Sequence, residues 1–229
     1  MTDFEQWKEY FIANRQKALI TFLEPFAESH EAARSLVEQC RDIQSDRRPL
    51  RIMNAIERLG RLSEEIAGRP LEGTALSVLF LVVSIETIYS LAEFGPAKKV
   101  EILIEFFKEF VIPQDRERLR QGIRRSMADS SGALPRGQPL SLEAIARIVN
   151  ELRNLFAHEG EISAFAFADP KMGQELNVLN VKESKGEEKM EHVYDVTLEL
   201  IEFRFIVLRG CVNFLQKALY PRGQCEETL

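Results

Sequence analysis

The sequence predicts an all-α protein carrying a small β insertion. Three observations carry this. Apolar residues recur three and four apart from the N-terminus to about residue 156. One stretch, ALSVLFLVVSIETIYSLA (75–92), is apolar on nearly every side. After Gly160 the period shortens toward two, and helical spacing returns only near Leu198.

The elements follow in order. Phe4, Trp7, Phe11, Leu19, Phe22, Leu23 and Phe26 recur at helical spacing. A second helix, Ser29 to Ile43, places Ala32, Ala33, Leu36, Val37 and Cys40 on one side. A third carries Ile52, Ala55, Ile56, Leu59 and Leu62 and stops at Gly68 and Pro70. These three form a helical N-terminal extension, residues 1–70, ahead of a bundle over 71–229. The long apolar helix, about Thr74 to Glu93, belongs at the centre of that bundle, because a helix apolar all round must be covered. Lys98 to Ile112 and Asp115 to Met127 read as one broken helix or two short ones, split at Pro113. DSSGALPRGQP (129–139) reads as a flexible loop. Ser141 starts a further helix running through Phe156; its Ile145, Ile148, Val149, Leu152, Leu155 and Phe156 fall within about 120° of arc, a core-facing stripe. ISAFAFA (162–168), ELNVLNVKE (175–183) and MEHVYDVTL (190–198) read as strands of a hairpin or three-stranded insertion over about 162–197, with SKGEEK as its turn. A last helix, about Leu198 to Leu219, carries Ile201, Phe205, Leu208, Val212 and Leu215.

Composition excludes several classes. The 229 residues are 45% hydrophobic, enough for a sizeable core, and the net charge of −6 argues against a protein that coats nucleic acid non-specifically. Cys40, Cys211 and Cys225 are odd in number and widely spaced, so no disulfide framework or zinc site follows. No His and carboxylate spacing suits a metal, and no GxSxG, Walker loop or GxGxxG occurs, so no cofactor is implied. The start lacks a basic and apolar leader. Glu86 argues against a membrane span over 75–92. The expectation is a soluble, cytoplasmic protein with no membrane role.

One segment bears on chemistry: RNLFAHEG, residues 153–160. As plain structure it is a helix tail, with Gly160 as a left-handed cap and His158 complementing the helix dipole. An Arg followed five residues later by His is a cheap pattern, expected about once by chance in a chain this long. Glu151, Asn154 and His158 share a narrow stripe facing away from the apolar one. Arg153 lies about 140° from His158 on an ideal helix. The two therefore converge only if the helix loosens at its end or if a two-fold dimer supplies the other group. Together they suffice for RNA cleavage: the His moves a proton at the 2′-hydroxyl or the leaving oxygen, and the Arg holds the phosphate.

Arg153, Asn154 and His158 in this setting resemble the motif of the HEPN superfamily, four-helix bundles with an Arg-x(4–6)-His motif at the end of the third core helix. The resemblance covers about residues 72–220, with IETIYSLAEF (85–94) ending the first core helix and Glu86 at the acidic position. One departure is Glu159, which intervenes before Gly160 and sets a negative charge beside the motif. The resemblance implies a metal-independent endoribonuclease of the toxin–antitoxin or antiviral defence kind. It also implies a homodimer with facing motifs, RNA as substrate, and an antitoxin or other regulatory protein as partner. The implied catalytic residues are Arg153, His158 and Asn154, with Glu86 and Glu151 supporting. Members that lack the motif are binding modules, so the alternative is a non-catalytic module for a partner protein or a nucleotide.

Five further features complete the expectation. DRERLRQGIRR (115–125) offers Arg116, Arg118, Arg120, Arg124 and Arg125 as RNA contacts or, equally, as a solvated helix face, with Arg136 beyond. RDIQSDRRPLR (41–51) is a second basic stretch that reads as a polar helix boundary. His192 reads as an exposed hairpin residue, and His30 has no companion ligand. Phe4, Trp7, Tyr10 and Phe11 read as core or dimer surface.

Overall fold

Periodic apolar spacing and its punctuation set most of the elements. A computed structural model describes residues 3–43, 45–69, 73–93, 95–126, 137–159, 165–169, 171, 173 and 175–219, the side chains at 3, 158 and 159 excepted. Among these are eight α-helices and a small four-stranded antiparallel sheet. Helix α1 (Asp3–Leu23) passes into a 3-10 turn, Glu24–Phe26. Helix α2 (His30–Asp42) begins where the Ser29 hydroxyl accepts from the Ala32 N–H. Helix α3 (Arg48–Ala67) has Pro49 in its first turn, where the missing N–H costs nothing, and Gly68 at its end. Then come α4 (Gly73–Ala92), α5 (Lys99–Glu109) and α6 (Pro113–Gly122). Helix α7 (Leu142–Asn154) starts on the Ser141 hydroxyl, which accepts from the Ala144 N–H, and widens at Leu155–Glu159 into a π turn. Helix α8 (Leu200–Leu219) follows the sheet.

Helix α4 packs against α3, α5, α7 and α8. Its Leu81, Val82, Ile85 and Ile88 are fully buried, so a helix long and apolar enough by composition to cross a membrane is spent largely on the core. Residues 1–70 share that core: Leu23, Val37 and Ile56 belong to one apolar cluster with Leu81, Phe106, Ile148 and Val207. Helix α3 approaches its neighbours closely because Gly60 has no side chain. A Cβ there would lie 2.7 Å from the Phe22 ring and 3.0 Å from Leu208. Gly60→Ala should therefore cost about 2 kcal/mol, against the small gain Ala normally brings to a helix interior. Chemical denaturation followed by circular dichroism checks this, and an unchanged midpoint would mean the Phe22 ring moves freely.

The first half of α1 is exposed, and Phe4, Trp7 and Phe11 stack on one another in solvent. The second half is clamped to α3. Arg15 donates to both Glu57 carboxylate oxygens at 3.0 and 2.7 Å, and Arg61 donates to one at 2.8 Å. Glu57 is 5% exposed. Burial by itself would raise its pKa, but the bonds from the two arginines outweigh that and hold it below the ordinary value.

The sheet differs from the expected insertion. Strands β1 (Ile123–Arg125), β2 (Gln138–Pro139), β3 (Glu175–Val181) and β4 (Met190–Val196) pair in the order β2-β1-β4-β3. The helix expected to run to Met127 ends at Gly122, so Arg124 and Arg125 lie on a strand, paired with Asp195 and Tyr194. Gln138 and Pro139, placed in a flexible loop by composition, form the short partner of β1; 127–136 lie outside the described residues. The alternating ISAFAFA forms no strand over its described part, 165–168. The Asn177 side chain supplies what a neighbouring strand would: its Oδ1 accepts from the Ala166 N–H at 2.6 Å and its Nδ2 donates to the Ala166 carbonyl at 3.0 Å. Phe167 packs instead on Phe203 of α8. The β3–β4 turn contains Gly186 at φ +91, a conformation glycine adopts without strain. Leu179, Val181, Tyr194 and Val196 face the core.

His192 is on that inner face as well and is 8% exposed, contrary to its expected place on an open hairpin. Because β4 is an interior strand, His192 is covered from both sides. Its Nδ1 lies 2.8 Å from Arg125 Nη2.

Candidate functional site

The motif residues sit where α7 gives way to the π turn. Arg153 is in the last turn of α7 and points at α4. Its Nε lies 3.4 Å from Glu86 Oε1, with the two side chains 13% and 17% exposed. Its Nη1 donates to Asn154 Oδ1 at 3.2 Å. Glu86 is shared: Lys99, in the first turn of α5, approaches Oε2 at 3.5 Å. Two cations from two helices thus converge on one carboxylate. Arg153 Nε and Glu86 Oε1 are both buried, yet neither makes a hydrogen bond. The pair is matched in charge but loose in geometry.

Glu86 also opens onto solvent. With Thr87, Ser90, Lys99 and Ile102 it lines a cavity of about 400 Å³ on the α4–α5 side. Glu86 is therefore the link between a nearly buried arginine and an open cavity.

The backbone of His158 lies in the π turn, while its side chain and that of Glu159 lie outside the described residues. The turn changes the helical arithmetic. Winding the last three steps at about 80° per residue, as i→i+5 bonding requires, brings Arg153 and His158 from about 140° to about 80° apart.

Glu151 has a partner outside the motif. It pairs with Lys189 at the tip of the β3–β4 hairpin and ties the sheet to α7. The five arginines of 116–125 each have partners within the protein. Arg116 donates to the Lys108 carbonyl at 2.9 Å. Arg118 donates to Glu202 at 2.9 Å and to the Thr197 carbonyl at 3.0 Å. Arg120 reaches the Leu140 carbonyl at 3.3 Å and Glu117 at 3.4 Å. Arg124 bonds Gln121 through its backbone carbonyl and side chain. Arg125 bonds His192 and lies 3.4 Å from Glu183. These contacts fasten α6 and β1 to the sheet and to α8. Arg136 lies outside the described residues.

Lys99 has no sequence signal. It follows Glu86 by thirteen positions and two turns of chain, and only the packing of α5 on α4 brings them together. Among the described residues, no group of three His, Cys, Asp or Glu could hold a metal ion. Cys40 and Cys211 are buried, and burial pushes both thiols up to about 12, so they are inert at neutral pH.

No family model, no curated protein and no solved structure matches the chain. The class that the coordinates define is a mostly helical protein with minor β structure. The end of α7 carries the Glu86–Arg153–Lys99 cluster beside a π turn.

Proposed function

We propose that the protein is a HEPN-type RNA endonuclease that works without a metal or cofactor, as a soluble homodimer with facing motifs and a regulatory protein partner. Arg153 holds the scissile phosphate. His158 takes the proton from the 2′-hydroxyl or gives one to the leaving oxygen, and Asn154 orients the phosphate or the imidazole. The 2′-oxygen bonds to phosphorus, the P–O5′ bond breaks, and the 5′-oxygen receives the proton. The products are a 2′,3′-cyclic phosphate and a 5′-hydroxyl. Glu86 holds Arg153 in place through the ground state.

The observation that carries this reading is the meeting of Arg153, Asn154 and Glu86 at the end of α7, with Arg153 Nε 3.4 Å from Glu86 Oε1 and Nη1 on Asn154. Arg153 spends Nη1 on Asn154 and forms no hydrogen bond through Nη2 among the described residues, so a donor remains for a phosphate. The π turn that carries the His158 backbone supports it too, since such turns recur at functional sites.

A second reading has its own observation. Arg153 is only 13% exposed and already has Glu86 and Asn154 as partners, as a structural counterion would. On that reading the bundle is a non-catalytic module for a partner protein or a nucleotide. Incubating purified protein with total RNA in EDTA separates the two. Cleavage with cyclic-phosphate ends is the expected result; intact RNA leaves the module.

A further inference from the structure

The largest cavity described lies away from the motif, along α3 and the end of α4, with Arg15 of the clamped half of α1 at its edge. It holds about 820 Å³ and is lined by Arg15 of α1, by Arg51, Asn54, Glu57, Arg58, Arg61 and Glu65 of α3, and by Thr87 and Leu91 of α4. Four arginines against two glutamates give it a positive balance in a protein of net charge −6. The four are not equivalent. Arg15 and Arg61 are held by the buried Glu57, which fixes both guanidiniums at the wall. Arg51 and Arg58 are exposed and form no ion pair or side-chain hydrogen bond among the described residues.

The placement is regular. Arg51, Asn54, Arg58 and Arg61 follow at three- and four-residue intervals, so they share one face of α3. From Arg51 to Arg61 that face runs about 15 Å along the axis, longer than a single phosphate group needs. A row of this kind fits a linear polyanion. The cavity also leads somewhere. Thr87 and Leu91 line both this groove and the cavity that Glu86 and Lys99 open onto. A strand lying along α3 would therefore pass across α4 to the Glu86–Arg153 cluster.

We infer that the α3–α4 groove binds the phosphate backbone of a single RNA strand, with Arg51 and Arg58 as its contacts, and delivers that strand to the motif. This rests on the reading of the chain as RNA-cleaving, and it gives the N-terminal helices a role in substrate capture. The contacts are to phosphate, so the groove reads no sequence.

The test separates the groove from the chemistry. A fluorescein-labelled 20-nucleotide single strand with 2′-O-methyl riboses cannot be cleaved by 2′-hydroxyl attack, so binding to the full chain is measured alone, by anisotropy over a range of KCl. Arg51→Ala/Arg58→Ala should weaken binding at least tenfold at low salt. It should also make the slope of log affinity against log salt shallower by about 1.4, the value for two lost contacts to a single strand. Arg51→Lys/Arg58→Lys should retain the slope. Both residues are exposed, so circular dichroism should be unchanged. Equal affinity and slope in wild type and the alanine variant overturn the inference, even where ordinary RNA is cleaved; the catalytic reading then stands alone. No binding by wild type overturns it as well, and cleavage of ordinary RNA by the same preparation tells whether the catalytic reading falls with it.

Discussion

Arg153→Ala and His158→Ala should each slow RNA cleavage in EDTA by at least a hundredfold, roughly the factor that one positioned acid–base group or one charge-stabilising contact supplies. The two losses should not multiply in the double variant, because both side chains act in one step. Glu86→Gln tests the support. It keeps the shape of the side chain but removes the charge shared by Arg153 and Lys99. As a positioning residue, Glu86 should move kcat less than Arg153 does, and Glu86→Asp should recover part of the loss. Initial rates on one defined RNA, with melting temperatures beside them, decide the matter. Lower melting for Arg153→Ala with no change in RNA would make the arginine a structural counterion, and the binding-module reading would lead.

The second large effect concerns stability. Arg15→Ala/Arg61→Ala should destabilise the protein by about 3 kcal/mol, because it strips both partners from a buried carboxylate. In a chain of this size that lowers Tm by about 10 °C. The sign of the pH dependence follows from Glu57. Its pKa in the folded protein lies below the ordinary 4.5, so its stabilising contribution is present above 4.5 and is lost as pH falls through the folded value. Without the arginines the burial effect is left unopposed and the pKa rises above 4.5. The variant's deficit should then be largest near pH 7 and should shrink toward pH 4, where the carboxyl is neutral. Adding Glu57→Leu should restore most of the lost stability at neutral pH, since an apolar group needs no partner there. Thermal melts at the two pH values check this, and a deficit independent of pH would sink it.

Long helices were legible because their signal is local. The apolar spacing of α2, α3 and α7, the Ser29 and Ser141 caps and the breaks at Gly68 and Pro113 all lie within a few residues of what they determine. The elements that local spacing does not encode depend on distant chain. Ile123–Arg125 is a strand only because Val196, Asp195 and Tyr194 come to lie beside it, some seventy residues later. The Arg-rich run 116–125 looks like a free basic face until Glu202, Glu183 and the Thr197 carbonyl arrive from the other end of the sequence. ISAFAFA has strand periodicity, but an Asn side chain occupies the edge where a partner would bond. At the candidate site, the positions of Arg153, Asn154 and His158 were readable from the motif alone. Glu86 stands there as a supporting residue implied by the resemblance; its pairing with Arg153, Lys99 and the π turn need the packed structure.

The exposed half of α1 also decides how this protein reports on itself. The chain has one tryptophan, Trp7, and it is 59% exposed on a helix segment that touches little of the core. Its emission should already resemble that of an indole in water while the protein is folded. Denaturation of the core around Ile85 and Phe106 would leave the fluorophore's surroundings nearly as they were. Tyr89 and Tyr194, both buried, are the chromophores placed to register that event, so near-ultraviolet dichroism of the tyrosines sees the cooperative transition that tryptophan fluorescence passes over.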